Sequence, residues 1–187
     1  VIGAGSTTGT YVAAAQGEDV YIDSATVTKA ISSVSGGTGV YEALSTNTNA
    51  ITTTITDTIQ TTTLSLSASA GSVDETTAIT YTATLTASSS AAVTVNLTGG
   101  GSIVIGAGST TGTYVAGAQG EDVYIDSATV TKAISSVSGG TGVYEALSTN
   151  TNAITTTITD TIQTTTLSLS ASAGTVDETT AITYTAT

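Results

Sequence analysis

The chain repeats itself. Val1-Ile2-Gly3-Ala4-Gly5-Ser6-Thr7-Thr8-Gly9-Thr10-Tyr11 returns as Val104 to Tyr114, an offset of 103 residues. Residues 1–84 then align with 104–187 with only Ala14 against Gly117 and Ser72 against Thr175 differing. Whatever one copy folds into, its neighbour must fold into as well. The period exceeds the 20–50 residues of a solenoid coil and suits a β-sandwich of about 100 residues. A catalytic site is seldom stamped out in adjacent identical units, whereas a spacer gains length from every copy, so the chain is expected not to be an enzyme. The most linker-like stretch is Asp57 to Thr63, matched by Asp160 to Thr166, because it is polar and joins two alternating runs. Residues 61–163 are therefore expected to form one complete module, 1–60 the end of its predecessor and 164–187 the beginning of its successor. Neither end fragment is expected to close a sandwich alone.

Within a module the fold class follows from residue type. Apolar residues make up 39% of the chain, yet Phe, Trp, Met, Cys, Pro and His are absent, and Thr and Ser fill much of the rest. Branched side chains pack well on a pleated surface and lose χ1 freedom in a helix, so an all-β fold is expected. Period-2 alternation places seven strands. Strand A turns Leu64, Leu66, Ala68 and Ala70 inward, B turns Ile79, Tyr81, Ala83 and Leu85, and C turns Val93, Val95 and Leu97. After Gly99-Gly100-Gly101, D carries Ile103 and Ile105, E runs near Thr113 to Ala118, F from about Ala128 to Val137, and G carries Ile154, Thr156, Ile158 and Ile162. Seven antiparallel strands match an immunoglobulin-like sandwich.

The charges are lopsided: fourteen Asp and Glu against two Lys and Arg, a net of −12. Such a surface repels nucleic acid and anionic lipid and attracts cations. No apolar run reaches the roughly 18 residues of a membrane span, so no membrane insertion is expected. Alternating antiparallel strands bring loops A–B, C–D and E–F and the end of G to one pole. That parity gathers Asp74 and Glu75 from A–B, Glu121, Asp122 and Asp126 from E–F, and Asp160 from the end of G. The remaining carboxylate, Glu145 in F–G, lies at the opposite pole, facing Glu18, Asp19, Asp23 and Asp57 of the preceding copy. In the following copy Asp177 and Glu178 repeat Asp74 and Glu75.

Carboxylates crowded without Lys, Arg or His repel one another unless a cation neutralises them. Calcium takes six to eight oxygen ligands in irregular geometry, magnesium is the alternative but usually keeps more of its water, and zinc and copper favour the His and Cys that this chain lacks. These thirteen acids are therefore the candidate calcium ligands, and calcium the expected cofactor. Each has a plainer reading: Asp74-Glu75 as turn chemistry, and Glu121 to Asp126 as a solvated loop. No EF-hand loop or Gly-rich calcium nonapeptide is present.

Other features favour structure over chemistry. Gly106 to Gly112 and Gly139-Gly140-Thr141-Gly142 read as turns using positive φ. Lys132, in phase with Val130 and Ile134, points inward and is expected to snorkel at a sheet edge or to follow a bulge. Ser and Thr have no evident activating base, and the paired carboxylates have no aromatic sugar platform, so no small-molecule substrate is expected. Regular Thr from Thr155 to Thr166 keeps open an ice-binding or cell-binding face as the alternative.

The runs Thr62-Thr63-Leu64-Ser65-Leu66-Ser67-Ala68, Val73-Asp74-Glu75, Ile79 to Leu85, Ala92 to Leu97, Glu121 to Asp126 and Ile158-Thr159-Asp160-Thr161 together resemble the extender repeats of giant RTX adhesins of Gram-negative bacteria, among them an ice-binding adhesin of a polar bacterium. The resemblance spans the whole module. It implies an immunoglobulin-like sandwich, type I secretion to the cell surface, and calcium within and between identical neighbouring repeats, its expected partners.

Overall fold

The computed structural model describes residues 1–37, 39–126, 128–140 and 143–187, and among these lie 14 strands and no helix. The first copy contributes β1 (Thr26–Lys29) and β2 (Ile51–Thr54), an antiparallel pair. The central copy contributes β3 (Thr61–Ala68), β4 (Ser72–Asp74), β5 (Ile79–Leu85), β6 (Val93–Leu97), β7 (Ser102–Ile105), β8 (Thr111–Ala116), β9 (Thr129–Lys132), β10 (Ile134–Gly139), β11 (Ala146–Thr149) and β12 (Ile154–Thr159). The last copy contributes β13 (Leu169–Ala171) and β14 (Tyr184–Ala186), also antiparallel.

The central copy is an immunoglobulin-like β-sandwich. One layer has the order β11-β3-β5-β8. The other is built from β10-β6-β7 and β4-β12-β9, linked because β9 and β10 follow one another along the chain. Alternation explains which side chains meet. Leu64, Ile79, Tyr81, Ala83 and Leu85 from the first layer pack against Val93, Val95, Leu97, Ile103, Ile105 and Ile134 from the second. Strand β5 buries every second residue from Ile79 to Leu85 and half-buries those between. A central strand between β3 and β8, with apolar residues on its core face and β-branched threonines between them, behaves this way.

The seven expected strands are present, with three differences. Strand F breaks at Ala133 into β9, which pairs with β12, and β10, which pairs with β6 and carries an irregularity just after the break, between Ile134 and Ser136. This is how a strand changes partners between two sheet segments. Two short strands add parallel pairings, β4 beside β12 and β11 beside β3. Strand G ends at Thr159, and Ile162, expected inward, is 91% exposed. The chain departs there because the Thr161 N–H donates to the Glu75 carboxylate instead of continuing a ladder.

Lys132 is buried, and its ammonium donates to the carbonyls of Gly99 (2.9 Å) and Gly100 (2.7 Å) beside the Tyr114 ring. It stitches the β6–β7 turn to the sandwich. Gly101 is needed there at φ +96°, where an added Cβ would lie 2.6 Å from the Tyr114 ring. Residues 106–109 make an ordinary turn between β7 and β8, closed by Ser109 N–H to Gly106 O. Gly139 and Gly140 take positive φ as expected, while Thr141 and Gly142 lie outside the described residues. Among the described residues no helix is long and apolar enough to cross a membrane, which says nothing of a β-barrel.

Candidate functional site

Three segments of the central copy converge at one end: the turn after β4, the start of the β8–β9 connection and the chain just past β12. Backbone bonds fix the meeting, Glu75 N–H to Thr159 O and Gly120 N–H to Glu75 O. Glu75 is thereby enclosed, at 1% exposure. Its Oε1 accepts from the Thr161 N–H at 3.1 Å. The Glu121 side chain beside it is the main cause of a pKa raised to about 7, with desolvation and the Asp160 carboxyl acting in the same direction and the Thr161 bond opposing them. A carboxyl that is buried, faces two other carboxyls and has no base beside it cannot hold its charge cheaply. Glu121 Oε1 also accepts from the Gln163 amide at 2.7 Å. Asp160 lines an adjoining cavity of about 350 Å³ with Asp122, Val123, Tyr124, Ile125 and Ile162.

The other acids of this pole stay apart. Asp74 accepts from the Thr76 N–H and from the hydroxyls of Thr76 and Thr77, both 2.7 Å, and these side-chain hydroxyls hold its pKa below the usual value. That is the turn reading. Asp177 makes the same bonds to Thr179 and Thr180 in the last copy. Asp122 accepts from the Tyr124 N–H, and Asp19 from the Tyr21 N–H. Asp126 and Asp23 are half-buried, and Glu178, the counterpart of Glu75, is exposed. Among the described residues no three carboxylates form a closed metal-holding group. The pole is a pairwise cluster about Glu75. Its donors are all oxygens, and no Lys competes for them, so the donor chemistry fits a hard divalent cation.

At the opposite pole the central copy meets the first. Glu145 accepts from the Gln60 N–H, which lowers its pKa, but desolvation and the carboxyls of Asp57 and Glu18 outweigh this and the net shift is upward. A further contact had no expectation in the sequence. Tyr21 and Tyr144 form an antiparallel bridge, with Ile22 N–H to Val143 O and Glu145 N–H to Val20 O, each 3.1 Å. This is the non-hydrogen-bonded kind of pair, in which side chains approach closest. The two rings stack at 5.9 Å between centroids. Tyr21 donates to Ser88 O at 2.8 Å and Tyr144 to Ala87 O at 2.7 Å. Tyrosines flanked by β-branched residues inside acidic loops were the signal, hidden because the partners lie far apart in sequence.

A family model, the LapA domain, matches residues 1–58 and 60–161. No curated protein and no solved structure matches the chain.

Proposed function

Because the chain belongs to the LapA domain family, a bacterial adhesin type of the cell surface, we propose that it is a calcium-stiffened spacer, an RTX-type extender that projects a distal binding domain away from the cell. The observation that carries the proposal is Glu75, an enclosed carboxyl set between Glu121 and Asp160 with no basic side chain beside it. Glu75, Glu121 and Asp160 would hold the ion at the distal pole. Glu145, Asp57 and Glu18 would hold a second at the junction with the preceding copy. Calcium supplies positive charge that these loops lack; the protein supplies loops already drawn together by the Thr159, Gly120 and Thr161 backbone bonds.

A strand of about eight residues rising roughly 3.3 Å each, with loops, makes a module on the order of 40 Å long. Near-identical copies joined head to tail turn that length into reach. An ion that binds only the folded form stabilises it by mass action. Secretion of a calcium-poor chain into calcium-rich surroundings, where the ion stiffens it, suits this chemistry. Thermal melting followed by circular dichroism, with chelator and then with calcium, tests the proposal. The expected result is a higher melting temperature with calcium, and identical melts would refute it.

A second reading, a module that itself grips ice or a cell surface, has one observation in its favour. Thr129, Thr131, Thr155 and Thr157 are exposed on the paired strands β9 and β12. The face is only two strands wide in Thr, and the Thr131 and Thr155 hydroxyls bond each other at 2.9 Å, which takes one of their two O–H donors. Thermal hysteresis of the chain in freezing solution would favour this reading over the spacer.

A further inference from the structure

Within one period the surface offers two halves of a contact, and the structure shows them joined once. The segment Val20-Tyr21-Ile22 of the first copy lies on the pole formed by Ala87 to Ser90 and Val143 to Glu145, through two backbone bonds, the tyrosine stack and the Tyr21 hydroxyl. Gln60 joins it through its bond to Glu145. The same segment recurs as Val123-Tyr124-Ile125, with Gln163 in place of Gln60. There it lines the distal cavity, Tyr124 is 74% exposed and Ile125 is 94% exposed.

We infer that Val123-Tyr124-Ile125 is the docking surface for the Ala87–Ser90 and Val143–Glu145 pole of a further copy of this repeat, joined by the same tyrosine clasp that seats Tyr21 against Tyr144. The inference rests on reading the chain as part of a tandem spacer, and adds to it a contact made of hydrogen bonds and apolar surface that needs no metal. Its two halves are different surfaces, so the contact is heterologous and propagates in a line instead of closing a pair. Every junction then has the same geometry, because the residues that set it recur with the period. Tyr124 at 74% and Ile125 at 94% exposure, against a half-buried Tyr21 and an Ile22 at 56%, are accounted for as the open face of that joint.

The test lengthens the full chain by one more 103-residue period and follows amide hydrogen exchange in chelator. The Ile125 amide exchanges fast in the 187-residue chain and slows in the longer one to match Ile22, whose N–H is already bonded to Val143 O. A second measurement uses the absence of cysteine. Tyr21→Cys with Tyr144→Cys places thiols on a pair whose Cα atoms are about 4.5 Å apart, within disulfide reach. Tyr124→Cys with the added copy's counterpart of Tyr144 changed to Cys should close to the same yield, with calcium or with chelator. If the first pair closes and the second stays reduced, or if Ile125 exchanges equally fast in both chains, the docking surface is refuted. Closure or protection confined to calcium would refute the metal-free clasp. Neither result depends on the melting shift that tests the spacer reading, so the two can fail separately.

Discussion

Val20 to Asp23 and Val123 to Asp126 carry the same four residues, Val-Tyr-Ile-Asp, in opposite circumstances. The first is seated on the central sandwich, its tyrosine half-buried, stacked and hydrogen-bonded; the second stands open beside an acidic pole. Glu75 and Glu178 also differ: Glu75 is enclosed by the Gly120 and Thr159 to Thr161 segments of its own copy, and Glu178 is exposed. The tyrosine segment takes its environment from the adjoining copy, whereas Glu75 takes its environment from its own. A single period contains the parts of a junction without containing a junction.

That comparison can be broken by mutation, beginning with the buried ring on which Tyr21 is seated. Tyr144→Ala removes an enclosed ring, its stack on Tyr21 and its bond to Ala87 O, and is expected to cost about 3–5 kcal/mol in denaturant unfolding of the central sandwich. Calcium at a hundredfold excess over its dissociation constant should stabilise the folded chain by about 2.7 kcal/mol. Tyr21→Ala acts on a half-buried ring and one hydrogen bond, for about 1–2 kcal/mol in the same assay. Tyr124→Ala, the same residue one period later, should shift unfolding by no more than about 0.5 kcal/mol. Equal losses at Tyr21 and Tyr124 would mean that the seated and open segments do not differ in energy.

Proton binding sharpens the Glu75 and Glu178 contrast. The Glu75 carboxyl rises from 4.5 to about 7 in the folded protein, mainly through Glu121, so between those values the folded state holds a proton that the unfolded state has released. Metal-free stability should therefore be greatest toward the acid end of that window and fall as pH rises to about 7. Asp74 titrates in the opposite sense, its lowered pKa adding stability only as pH rises past its window below 3.8, so the two effects are separable. Glu75→Gln keeps an acceptor for the Thr161 N–H while removing the charge. It should flatten the Glu75 window and leave the metal-free protein at least as stable at pH 8 as the parent. Glu178→Gln should change neither. Urea midpoints across pH in chelator read all three.

Much of the sandwich was legible because alternation is a local property. Leu64, the Ile79 to Leu85 strand, Val93, Val95, Leu97, Ile103 and Ile105 are inside where period 2 puts them. What alternation cannot register is a strand that changes partner, as F does between β9 and β10, or one that leaves its ladder to satisfy a buried carboxyl, as happens after Thr159 and exposes Ile162. The acidic pole was legible in part. Strand parity brings Glu75, Glu121 and Asp160 together, but sequence gives Asp74 and Glu75 equal standing, and only the backbone shows one turned into its own Thr76 and Thr77 hydroxyls and the other inward. The tyrosine clasp was not legible, because its bridge joins residues from two copies and neither loop carries a strand pattern long enough to announce a partner.

The proposed divalent cation would sit where Glu75, Glu121 and Asp160 converge. Crystals of the chain grown with calcium and measured for anomalous scattering test it directly. The expected result is a calcium peak within about 2.3–2.6 Å of carboxylate oxygens from those three residues. A pole with no peak, in crystals that diffract well enough to show one, would contradict the account.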